Sequence, residues 1–192
     1  MPKKVDPHER RAQIARALHR VIAGRGLDEV SLRHVATEAG VSAGLVQHWF
    51  RTKDEMLRFA LEVVAEQGQA RLARRGAEIE HGTPREAVRA LLVELLPLDE
   101  ERRLEAHVAL AFGARAAVSP EIARWVRDGM DQMRAFVADR LRAAGRVGDP
   151  EAAAVALTAM VDGLAAHVLA EQCTPEAAEA AFDDHLDTVL GL

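Results

Sequence analysis

The sequence predicts an all-α protein of about nine helices. Three observations carry that reading. Strand signals are missing: there is no alternating apolar run, no Asn-Gly turn and no tyrosine in 192 residues. Helix starts are written repeatedly: five of the seven prolines follow Asp, Ser or Thr, as Asp6-Pro7, Thr83-Pro84, Ser119-Pro120, Asp149-Pro150 and Thr174-Pro175. Each pair reads as an N-cap and the first helical position, where proline's missing N–H costs nothing. Between these starts, apolar residues recur at i, i+3, i+4 and i+7, the period of one helical face.

Taken in order, the first helix runs from about Pro7 to Ala23, with Ile14, Ala17, Leu18, Val21 and Ile22 as its apolar stripe and Gly24 and Gly26 as its end. Ser31 caps the second, and Val30 and Val35 stand at hydrophobic-staple positions. Leu32, Val35, Ala36 and Ala39 form its inner face. Gly40 falls where the chain must enter the left-handed region to stop, and Ser42 caps a short helix over 43–50. Thr52 opens a long helix from Lys53 to about Arg75, followed by Gly76. Further helices are expected near 84–96, 99–117, 120–144, 150–171 and 175–190. Asp6/Glu9, Thr52/Glu55 and Thr83/Glu86 have capping-box spacing.

Composition narrows the function. The length allows one or two domains with a real core. A single cysteine, Cys173, excludes an internal disulfide and a multi-cysteine metal site. No apolar run long enough for a bilayer is expected, and MPKKVDPHERR has no apolar segment, so no membrane partner and a cytoplasmic location are expected. The net charge of −5 is unevenly spread: residues 1–53 carry 10 Lys+Arg against 5 Asp+Glu, and the remainder carries 15 against 25. A basic block on an acidic body suggests that the N-terminal part alone meets an anionic partner.

That block has the plan of a helix-turn-helix, whose second helix enters the DNA major groove. Its residues Gly26, Val30-Ser31-Leu32, Val35-Ala36, Ala39-Gly40-Val41-Ser42, Gly44, Phe50 and Lys53-Asp54-Glu55 resemble the N-terminal pattern of TetR-family transcriptional regulators. Two later stretches, LPLDEERRLEAHVALAF and MVDGLAAHVLAE, are similar to the ligand domains of choline/betaine-pathway repressors. The resemblance implies a three-helix DNA-binding domain over 1–53 and a helical ligand-binding and dimerisation domain over 54–192. It implies a homodimer on near-palindromic double-stranded operator DNA, released when a small-molecule effector binds. One departure stands out: Gln47 occupies a position where the family usually carries an aromatic, and glutamine can bond adenine in bidentate fashion.

The expected roles follow. Val46, Trp49 and Phe50 pack the recognition helix inward, leaving Ala43, Gly44, Leu45, Gln47 and His48 toward the groove. Gln47 is the expected base reader, Leu45 suits a thymine methyl, Ser31, Arg33 and Lys53 suit phosphate, and the family resemblance implies a phosphate contact for His48 as well. In 150–171, Ala152, Ala156, Ala159, Gly163 and Ala166 form a small-residue stripe, expected to meet a second subunit together with Phe182, Leu186 and Val189. Leu104, His107, Val108, Phe112, Trp125, Met133, Leu164 and His167 are candidates for an effector cavity. The same residues also suit an ordinary core, where histidines are more often hydrogen-bonded than ligand-binding. Glu78-x-x-His81 has the spacing of one carboxylate-bundle metal motif, but such sites need two, so no metal or other cofactor is expected. No P-loop or GxSxG points to an enzyme. The competing reading is a helical ligand-binding or scaffold protein whose helix-turn-helix no longer reads DNA.

Overall fold

The computed structural model describes residues 7–192. These form ten α-helices, one 3-10 turn and no strand. The helices are α1 (Pro7–Arg25), α2 (Leu32–Ala39), α3 (Ala43–Trp49), α4 (Lys53–Arg74), α5 (Gly76–His81), α6 (Pro84–Leu92), α7 (Glu100–Ala116), α8 (Pro120–Ala144), α9 (Pro150–Leu169) and α10 (Pro175–Leu190). One more helix is present than the sequence suggested. Gly76 does not end the helical run: the chain breaks at Arg75 and restarts at once as the six-residue α5. The stretch 84–96 also divides, into α6 and the 3-10 turn Val93–Leu95.

The proline-marked starts behave as side-chain chemistry dictates. Thr83, Ser119, Asp149 and Thr174 each accept a hydrogen bond from the backbone N–H three residues on. Thr83 and Glu86 close a full capping box. Thr52 accepts from Glu55 N–H, but the Glu55 carboxylate accepts from Arg51 N–H at 2.7 Å, one residue earlier than the box requires. Asp6 lies outside the described residues.

Two apolar cores hold the helices. The first joins Ile14, Leu18, Val35, Val46 and Met56 to Val108 and Phe112 of α7 and Ile122 of α8. The second gathers Leu92 and Leu96 with Leu141, Leu157, Phe182 and Leu186 from α8, α9 and α10. α4 runs unbroken past residue 54: its first two turns bury Met56, Leu57, Phe59 and Ala60 in the first core, and Arg71 further along bonds to Glu94 and Glu105. Arginine–carboxylate pairs staple α6 to α10. Arg85 holds Asp187, and Arg89 donates to Asp183 at 2.7 Å and Glu179 at 2.6 Å.

α9 corrects one compositional reading. At 20 residues it is long and apolar enough, by length and composition, to cross a bilayer. Its larger apolar residues Leu157, Val161 and Val168 are buried within the protomer, while alanines supply much of the rest.

Candidate nucleic-acid interface

The interface is built from the turn that joins α2 to α3. Gly40 sits at φ 65°, ψ 34°, the left-handed region that glycine enters without steric cost. Gly40 N–H bonds to Thr37 carbonyl at 3.2 Å and Val41 N–H reaches back to Ala36 carbonyl at 3.0 Å, closing the end of α2. Ser31 caps α2 by accepting from His34 N–H, and Ser42 caps α3 by accepting from Leu45 N–H, both at 3.2 Å. Each serine hydroxyl keeps its O–H free to donate outward.

α1 fixes this unit from behind. Gln13 Nε2 donates to Ala39 carbonyl at 2.7 Å, tying α1 to the last turn of α2. His19, 3% exposed, bonds through Nε2 to Ala60 carbonyl of α4 at 3.1 Å. A carbonyl only accepts, so the proton stands on Nε2. Burial holds the His19 pKa below the ordinary histidine value, against the opposing effect of the Ala60 bond. Phe50 and Phe59 meet at 5.0 Å between centroids, fixing the exit of α3 on α4.

α3 is held inward by Val46 and Phe50, which are buried. Ala43, Gly44, Gln47 and His48 are exposed on its outer surface, and Leu45 is half-buried at their edge. Trp49 departs from expectation: it is exposed at 37%, with its ring edge-on to His48 at 6.2 Å. It is the last residue of a seven-residue helix whose seat on the core is already taken by Val46 and Phe50. Exposure of a large aromatic on this helix is a signal that hydrophobicity alone hides.

The phosphate candidates lie around the same face. Arg33 is exposed at the start of α2 and Ser31 is half-buried at its cap. Lys53, the first residue of α4, donates through Nζ to Asp28 carbonyl at 2.6 Å. An ammonium carries three N–H donors, so this bond aims the group and leaves two for an anion. Asp28 also faces Arg115 at the end of α7, 3.8 Å away.

The proposed effector residues are not gathered into one cluster. Val108 and Phe112 are fully buried in the first core, and Trp125 packs beside them under Arg58, whose guanidinium lies 5.0 Å from the ring centroid. Met133 and Leu164 pack against the second core. Leu104 and His107 are half-buried, burial pulls the His107 pKa down, and His167 is exposed. A group of charges between α4, α7 and the 3-10 turn, part-buried at Arg71 and Glu94 and buried at Glu105, is not foreseen from the sequence. Arg71 donates to both Glu105 oxygens, at 2.9 and 2.5 Å, and to Glu94 at 2.7 Å. Burial pushes the Glu105 carboxyl pKa up although the Arg71 bonds oppose it. One turn earlier, Gln67 Oε1 is buried with no partner among the described residues. The signal was available: Glu105, Val108 and Phe112 share one helical face, so a carboxylate stands on an apolar stripe.

The expected subunit residues also separate. Ala152, Ala156, Ala159 and Gly163 are exposed on one side of α9, joined by Val155 at 49%, and Ala166 is half-buried. Phe182 and Leu186 are fully buried in the protomer's own core, because α10 turns them toward Leu141 and Leu157; Val189 is half-buried. Of the Glu78/His81 pair, His81 is exposed and the Glu78 side chain lies outside the described residues.

A capped two-helix reader on a basic block, attached to a larger helical body, defines a DNA-binding regulator. Comparison with known proteins gives the family. Residues 14–60 match the model of bacterial regulatory proteins of the tetR family, and residues 84–191 match the C-terminal model of BetI-type transcriptional repressors. The chain is 37% identical to the HTH-type transcriptional regulator PksA of Bacillus subtilis (strain 168), over 88% of this chain and 83% of that protein. It superposes on a transcriptional regulator from Rhodococcus sp. Rha1 with a TM-score of 0.82 and 41% identity, covering 94% of this chain and 96% of the other. A regulator from Saccharomonospora viridis, solved in complex with choline, matches with a TM-score of 0.78 and 27% identity, covering 94% and 96%. The chain belongs to the TetR family. It is a ligand-responsive DNA-binding transcriptional regulator, and the reading as a scaffold with a silent helix-turn-helix is not favoured.

Proposed function

We propose that this protein is a cytoplasmic homodimeric repressor that reads a near-palindromic operator through α3 and leaves it when a small organic molecule binds the helical body. The open outer surface of α3 carries the reading: a seven-residue helix capped at Ser42 and seated by Val46 and Phe50 presents Gln47 with its amide free. Gln47 reads an adenine, and Lys53, Ser31, Arg33, His48 and the indole N–H of Trp49 hold phosphates around it. The exposed Ala152–Gly163 stripe with Val155 supports pairing through α9. Two half-sites must be read together, about one helical turn apart, which a single protomer cannot do.

The effector acts from the interior bounded by α4, α7, α8 and α9. The choline-bound relative supports a compact organic ligand. A ligand there would meet the polar Arg71–Glu105–Glu94 group, in which Glu105 is buried, and the Gln67 oxygen, which has no partner among the described residues. The ligand shifts the protein toward a conformer with wrongly spaced reading helices by binding that conformer more tightly.

The test is selection of duplexes from a random-sequence pool. A two-fold symmetric consensus is expected. Gln47→Ala should cost about 1–3 kcal/mol per half-site and relax one base position, while Lys53→Ala weakens binding to all sequences alike. Equal losses on every sequence for both variants would remove Gln47 as the reader.

A further inference from the structure

A hollow of about 420 Å³ opens between α1 and α2, lined by Val21, Arg25, Arg33, His34, Thr37 and Glu38. Its charges do not cancel. Glu38 is held by Arg20 at 2.6 Å, outside the hollow, which leaves Arg25 and Arg33 as cations with no acidic partner among the described residues. Both arginines are exposed. The His34 ring is pinned, its Nδ1 donating to Glu29 carbonyl at 2.5 Å, and Thr37 adds an exposed hydroxyl. Arg33 is already a DNA contact in the reading above, so the hollow continues the nucleic-acid face past the start of α2 and onto the last turn of α1. In a helix-turn-helix the first helix of the pair crosses the sugar–phosphate backbone.

We propose that this hollow seats a backbone phosphate of duplex DNA, with Arg25 as an additional clamp beside Arg33 and Thr37. Arg25 carries no sequence information there. It sets how the protomer sits on the duplex and extends the contact beyond the bases that α3 reads. Arginine suits the task because its planar fork meets phosphate oxygens in pairs.

The proposal rests on the DNA-binding reading, and one experiment separates the two. A duplex selected by the wild-type protein from a random pool is bound at a series of salt concentrations by the wild type and by Arg25→Ala, Arg25→Lys and Arg16→Ala. Arg16 is exposed nine residues earlier on α1, which places it on the opposite side of that helix. Thermal unfolding of each variant checks the fold. Each lost phosphate contact flattens the plot of log K against log salt by about 0.9, so a dimer losing one per protomer flattens it by about 1.8. That change is expected for Arg25→Ala, with Arg25→Lys restoring most of the slope and Arg16→Ala leaving it near the wild-type value. A wild-type slope for Arg25→Ala, or the same flattening for Arg16→Ala, overturns the clamp. Failure of the wild type to select any duplex refutes the DNA-binding reading instead.

Discussion

Trp49, the largest side chain on α3, is exposed at 37% and stands edge-on to His48. Hydrophobicity scales do not say on which side of a short helix a residue falls, and the seat is already filled by Val46 and Phe50. The chain has two tryptophans, so Trp125→Phe leaves Trp49 as the only indole. Its fluorescence should change when operator DNA is added, and an unchanged spectrum at saturating DNA would place Trp49 away from the contact. His19 gives a pH prediction. Its pKa in the folded protein lies below the unfolded value, so the neutral form is the one that fits. The stability it contributes is complete above about pH 6.5 and is lost as the pH falls through the lower folded value. His19→Gln keeps an N–H donor for Ala60 carbonyl but does not titrate. Melting temperatures between pH 7.5 and 5 should fall less steeply in that variant, and identical profiles would assign the acid sensitivity elsewhere.

At the scale of elements, most of the molecule was legible. Helix starts were readable because Pro after Ser, Thr or Asp has one favourable use, and the four described pairs all cap. α5 was not legible, because a glycine that ends one helix and a glycine that begins the next look alike in a sequence. Nor was the partition of Phe182 and Leu186 from the α9 stripe: the period of α10 shows that they share a face, not which neighbour that face meets. The Arg71–Glu105 contact was hidden by sequence separation, since neither charge betrays its partner 34 residues away. It makes a testable link between α4 and α7. Arg71→Met strands the buried Glu105 carboxylate, while Glu94 keeps Arg75 at 3.6 Å, and should cost roughly 3–5 kcal/mol, whereas Arg71→Met with Glu105→Leu should regain much of that loss. Chemical denaturation of the single and double variants checks it, and a double variant no more stable than the single would mean that the charges are not coupled through this pair.

For the whole molecule, the cost of exposing the α9 stripe argues for a second copy. Ala152, Val155, Ala156, Ala159 and Gly163 present little polar surface, and small side chains permit a close helix approach. Ala159→Glu adds a charge at the middle of that surface without touching either core. Sedimentation should show monomers, together with weakened operator binding because the two reading helices are no longer joined. A dimer that survives the substitution would move the interface elsewhere on the protein.

The unbroken run of α4 has a geometric consequence. Eighteen residues separate Lys53 from Arg71, so the two ends lie about 27 Å apart along a rod with a rise of 1.5 Å per residue. A tilt of about 5° pivoting at Arg71 carries the start of the rod through roughly 2.4 Å. That displacement is less than the 3.4 Å between successive bases of a strand, yet it is most of a hydrogen-bond length. In the proposed gating, an angular change of that size at Arg71 would be enough to carry the Lys53 ammonium away from a phosphate, and it would take with it Met56, Leu57, Phe59 and Ala60, which are buried in the first core.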